Sequence, residues 1–164
     1  MSDSALAAEC AYILLVEDNH DVRASIRRAL AKAGHNVVEA GSGDAAAALI
    51  DRAVPFDMLI TDVRMPGSYD GIALAVCWRE KVPDRPILFV SGHTDERLDM
   101  GIVGPHAALL PKPFQRAALL DMVKHLLAGR LTRAVPAVML LGQAGAALPE
   151  CAPRVNQRGR GTQE

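Results

Sequence analysis

The sequence predicts an α/β fold, a doubly wound (βα)5 domain with a five-stranded parallel sheet and helices on both faces. Short apolar runs of strand length recur five times, each bounded by turn residues. Segments with helical spacing separate them. Polar residues able to do chemistry follow the ends of the runs, at the carboxyl edge where sheets of this kind bind ligands.

The first run is YILLV, Tyr12–Val16, continuously apolar as a strand covered on both faces should be. After it, Val22, Ile26, Ala29, Leu30 and Ala33 fall at offsets of 0, 4, 7, 8 and 11 and stop at Gly34. That is one apolar helix stripe with a glycine terminator. NVVEA, Asn36–Ala40, forms the second strand, followed by a helix over Asp44–Ala53. MLIT, Met58–Thr61, precedes a helix over Gly71–Lys81; ILFV, Ile87–Val90, precedes one over Thr94–Val103, weakened by Gly101. AALL, Ala107–Leu110, leads into the last helix, Phe114–Ala128, whose Leu119, Met122, Val123 and Leu126 share a face.

A chain of 164 residues, half of them apolar, can bury one continuous core. We expect residues 1–10 to be an N-terminal extension, 11–129 the folded domain, and 130–164 a flexible tail rich in Ala, Gly and Pro. Eighteen basic and 19 acidic side chains leave a formal charge of -1, and the tail's four arginines against two glutamates add only +2, so nucleic acid is not an expected ligand. Cys10, Cys77 and Cys151 are odd in number and lack paired short spacing, which argues against a disulfide framework or a cysteine metal site. The start carries no basic, apolar leader, and no stretch reaches the length of a membrane span. A cytoplasmic protein is expected.

Four strand ends carry polar residues that can face one site: Glu17 and Asp18, then Asp62, Ser91, and Lys112 two residues past the last strand. Taken singly, each reads as a solvated loop residue. Taken together, carboxylates from neighbouring strand ends would repel one another unless a cation lay between them. Hard oxygen ligands with open water positions suit Mg²⁺.

LLVEDN, TDVRMP, the pair Asp70-Gly71, FVSG and PKPF, in this order and each at its strand end, resemble the receiver domain of two-component response regulators over about residues 11 to 128. The resemblance implies a flavodoxin-like sheet of order 2-1-3-4-5. It implies a stand-alone phosphoacceptor of a two-component or phosphorelay pathway, not an enzyme on other molecules, that catalyses only its own phosphorylation and dephosphorylation. Asp62 would take the phosphoryl group from a histidine kinase or phosphotransfer protein. Asp18, Asp62 and the backbone carbonyl of Arg64 would hold Mg²⁺, with Glu17 acting through water. Lys112 and Ser91 would each contact a phosphoryl oxygen, and Pro113 would follow Lys112 through a cis bond. A downstream protein, or a second copy of the chain, would dock on the face of the fourth predicted helix, fifth strand and fifth predicted helix.

The chain also departs from that pattern. Leu109 stands where many receivers carry an aromatic that turns inward on activation, so switching would pass through the loop from Ser91 to Thr94 or through the helix after it. Arg64 and His93 occupy positions that in the family tune hydrolysis of the acyl phosphate.

Competing readings fit these residues less well. A haloacid-dehalogenase-type phosphatase would need a second aspartate where Arg64 stands, and a dinucleotide fold would need glycines where EDN stands. A degenerate receiver, acting as a phosphorylation-independent binding or dimerisation module, remains the alternative. His20, His35, His106 and His125 lack ligand spacing, and Trp78 reads as a partly buried packing residue.

Overall fold

The computed structural model describes residues 10–92 and 104–129. The elements are β1 (Tyr12–Val16), α1 (His20–Lys32), β2 (Asn36–Ala40), α2 (Gly43–Asp51), β3 (Met58–Asp62), α3 (Gly71–Lys81), β4 (Ile87–Ser91), β5 (Ala107–Pro111) and α4 (Arg116–Leu127). The five strands form one sheet in the order β2-β1-β3-β4-β5. All four pairings are parallel, with Val16 opposite Ala40 and Thr61, Asp62 opposite Val90, and Ser91 opposite Pro111. This is the predicted flavodoxin-like sheet. The helix expected over Thr94–Val103, the extension before Cys10 and the tail after Gly129 lie outside the described residues.

Strand alternation divides the core in two. Leu14 and Val16 of β1 point with Leu59, Ile87 and Phe89 toward α2 and α3, packing on Ala46, Ile50, Leu74 and Trp78. Ile13 and Leu15 point with Met58, Ile60, Leu88 and Val90 toward α1 and α4, packing on Ile26, Leu30, Leu119 and Val123. Both faces of the sheet are therefore dry along β1, β3 and β4, which read as unbroken apolar runs, whereas the edge strand β2 is only partly buried and carries Glu39. Truncating any of these leucines to alanine should cost about 2–5 kcal/mol.

Local signals fix the helix ends. Asn19 caps α1, its side chain accepting from the N–H groups of Asp21 and Val22. At the other end, Gly34 at φ 94 and the His35 N–H to Leu30 carbonyl bond of 3.1 Å close a Schellman turn. α2 starts at Gly43, one residue before the expected Asp44, because the Ser42 side chain caps the Ala45 N–H. It ends at Asp51 and not at Ala53, where the backbone has already turned left-handed with φ 56. α4 starts at Arg116, because Gln115 is still extended at φ -84, ψ 149. Trp78 is fully buried, tilted against Phe56, with its indole N–H on the Arg85 carbonyl at 3.2 Å. Among the described residues no helix is long and apolar enough to cross a membrane.

Candidate functional site

The carboxyl edge of the sheet gathers the acidic residues. β1 runs directly into Glu17, whose amide N–H still bonds the Ala40 carbonyl at 3.2 Å, and Asp18 follows on the turn toward α1. β3 ends on Asp62 itself. One carboxylate oxygen from each of Glu17, Asp18 and Asp62 lies within 4.8 Å of the other two, the group among the described residues that could hold a metal ion. Glu17 is 1 % exposed, whereas Asp18 faces solvent.

Lys112 reaches this cluster from beyond β5. Its Nζ donates to Glu17 Oε2 at 2.7 Å and to Asp62 Oδ2 at 2.9 Å. Its own amide N–H bonds the Ser91 carbonyl at 2.7 Å, so the lysine leaves from a backbone tied to β4. The Lys112–Pro113 peptide is cis, as the resemblance implies. Ser91 closes β4 at the same edge and is buried. The expected residues Glu17, Asp18, Asp62, Ser91 and Lys112 thus all lie at one end of one sheet.

Electrostatics follow from burial and pairing. Burial pushes the Glu17 carboxyl above its ordinary value of 4.5, although the hydrogen bond from Lys112 pulls the other way. Burial also acts to lower the Lys112 ammonium, but the bonds to Glu17 and Asp62 outweigh it and hold it above 10.5. Three carboxylates against one ammonium leave the cluster short of positive charge.

The loop after β3 is braced from several sides. Asp62 Oδ1 accepts the Arg64 N–H at 3.2 Å, and the Thr61 hydroxyl donates to the Asp62 carbonyl at 2.9 Å. Gly71 donates its N–H to the Val63 carbonyl at 2.9 Å, and its α-carbon sits so close to the Asp62 carbonyl that a Cβ would collide with it. Asp70 caps α3 through the Ala73 N–H at 2.9 Å. Asp44 Oδ2 accepts the Ser68 N–H at 3.1 Å, pinning the far side of the loop to α2.

Sequence reasoning passed over Thr61, Asp44 and Arg23, whose guanidinium donates to the Glu17 carbonyl at 2.7 Å. Each looks like an ordinary polar residue until its partner from another element is known. Of the histidines, His35 accepts the Ala11 N–H through Nδ1 at 3.3 Å and is lowered by burial, while His20 stands exposed beside Asp21. Neither joins the acidic cluster.

Residues 13–124 match the response regulator receiver domain family. The response regulator receiver protein CpdR of Brucella abortus is 36 % identical over 116 residues, covering 70 % of this chain and 95 % of CpdR. The sensor kinase CckA of the same organism is 35 % identical over 119 residues, 71 % of this chain but 12 % of that protein. Among solved structures, a response regulator receiver protein from Sinorhizobium medicae superposes with a TM-score of 0.69 at 31 % identity, over 74 % of this chain and 98 % of that one. The chemotaxis response regulator CheY4 of Vibrio cholerae does so with a TM-score of 0.64 at 28 % identity, over 71 % and 98 %.

Proposed function

The chain belongs to the response regulator receiver domain family, and from that membership we propose that it is a phosphoacceptor switch of a two-component or phosphorelay pathway, phosphorylated on Asp62. The observation that supports the proposal is Lys112 bridging Glu17 and Asp62 at 2.7 and 2.9 Å beside Asp18, an ammonium among the carboxylates that would accept the phosphoryl group and hold a metal.

The carboxylates suit Mg²⁺. They are hard oxygen donors within 4.8 Å of one another, and their excess negative charge calls for a divalent cation. Asp18, Asp62 and the Arg64 carbonyl would hold the ion, and buried Glu17 would act through water. When bound, the ion offsets negative charge on the transferring phosphoryl group.

In the transfer itself, an Asp62 oxygen forms a bond to phosphorus as the P–N bond of the donor phosphohistidine breaks. The electron pair returns to the imidazole nitrogen, which takes its proton from solvent. Lys112 exchanges part of its contact with Asp62 for a phosphoryl oxygen, and the Ser91 hydroxyl donates to another. Water later removes the group, at a rate that the family pattern would have Arg64 and His93 tune. With Leu109 in the aromatic's usual place, switching would pass through the loop from Ser91 to Thr94 or through ordering of the helix expected after it.

The donor would be a histidine kinase or phosphotransfer protein, the receiver of the signal another protein or a second copy on the β5–α4 side, and the setting the cytoplasm. No turnover of another substrate is proposed. Phosphoramidate, a small P–N donor, supplied with Mg²⁺ should load the protein. Hydride reduction followed by peptide mapping should then place the modification on Asp62; a modification elsewhere would overturn the assignment.

A further inference from the structure

We infer that Arg23 is a positioning residue for the acidic pair, holding the peptide between Glu17 and Asp18 so that both carboxylates reach the Mg²⁺ position; the inference rests on the reading just given. Arg23 lies on α1 and is 17 % exposed along its side chain. Its Nη1 donates at 2.7 Å to the Glu17 carbonyl, the oxygen of the peptide bond that joins Glu17 to Asp18.

Two further contacts aim the guanidinium. Nε lies 3.5 Å from Glu39 Oε1 on β2. Across from it, a Cβ on Gly41 would stand 3.4 Å from Nη1, so the turn after β2 closes against the group. Arg23 therefore straps the β1 exit to β2 from a helix that touches both.

Fixing one peptide plane fixes the ψ of Glu17 and the φ of Asp18, the torsions from which the two carboxylates leave. A charged donor on a partly desolvated carbonyl is a strong restraint. Loss of such an outer-shell partner costs metal sites roughly 10–100-fold in affinity. Charge alone predicts the opposite sign. A guanidinium near the site repels a divalent cation, so a purely electrostatic role would make Mg²⁺ bind tighter once Arg23 is removed.

Arg27 supplies the control. It pairs with the other oxygen of the same glutamate, Glu39 Oε2, at 3.2 Å, and has no bond to Glu17. Calorimetric titration of Mg²⁺ into the full chain compares wild type, Arg23→Ala, Arg23→Lys and Arg27→Ala. Arg23→Ala should weaken binding roughly tenfold, Arg23→Lys should fall between it and wild type, and Arg27→Ala should bind as wild type does. If Arg23→Ala does not fold, the lysine variant against Arg27→Ala decides. Unchanged or tighter binding by the Arg23 variants, or equal weakening in Arg27→Ala, overturns the inference. Wild-type protein that binds no Mg²⁺ overturns the phosphoacceptor reading and this inference with it.

Discussion

Lys112 and Glu17, 95 positions apart in the chain, meet at 2.7 Å over the carboxyl edge of the sheet. The contact joins the exits of β5 and β1, and through Asp62 at 2.9 Å it joins β3 as well. A nearly dry carboxylate is held there by the lysine on one oxygen and by the Asn19 N–H, at 3.1 Å, on the other.

That pairing sets a pH dependence. Lys112 is held above 10.5, so its contribution to stability is complete below that value and is lost as pH rises through the folded one. Glu17, raised above 4.5 chiefly by burial, acts oppositely: ionised, it penalises the fold at neutral pH, and the penalty lifts as pH falls through its folded value. Lys112→Met should cost on the order of 2 kcal/mol at neutral pH, because it leaves Glu17 without its cation. Urea unfolding of both proteins should show the gap narrowing well above pH 10.5. A gap constant with pH would mean that the ammonium carries no part of the cost.

Divalent cation should stabilise the fold through the same cluster. With Mg²⁺ at a hundred times its dissociation constant, the gain should be about 2.7 kcal/mol. Thermal melts should rise with Mg²⁺ in wild type and stay flat in Asp18→Ala. Glu17→Gln should melt at or above wild type without metal, since it removes a buried charge, and should gain less on adding Mg²⁺.

Close packing behind the acceptor makes a third prediction. A Cβ at Gly71 would meet the Asp62 carbonyl and crowd Val63, both of them backbone that cannot swing aside. Gly71→Ala should destabilise by about 2 kcal/mol or more, read by denaturant unfolding, and should slow phosphorylation of the fraction that stays folded. A variant as stable as wild type would show that the loop after β3 is looser than its geometry.

The central strands were legible because the sheet is buried on both faces there, so Tyr12–Val16 and Ile87–Val90 appear as unbroken apolar runs with their chemistry at the ends. The site residues were legible through motif order more than through any one residue. Helix ends were less so: Ser42 caps α2 ahead of a glycine, and Ala53 takes a left-handed conformation that its side chain does not advertise. Arg23, Asp44 and Thr61 escaped because their roles depend on the Glu17 carbonyl, the Ser68 N–H and the Asp62 carbonyl, contacts that exist only once the elements have packed.

The most direct measurement of the central claim is intact mass after incubation with acetyl phosphate and Mg²⁺, in wild type and Asp62→Ala, with EDTA as control. The account predicts a gain of one phosphoryl group in wild type with metal, and none in the variant or with EDTA. A gain that survives in Asp62→Ala, or that ignores EDTA, would contradict it.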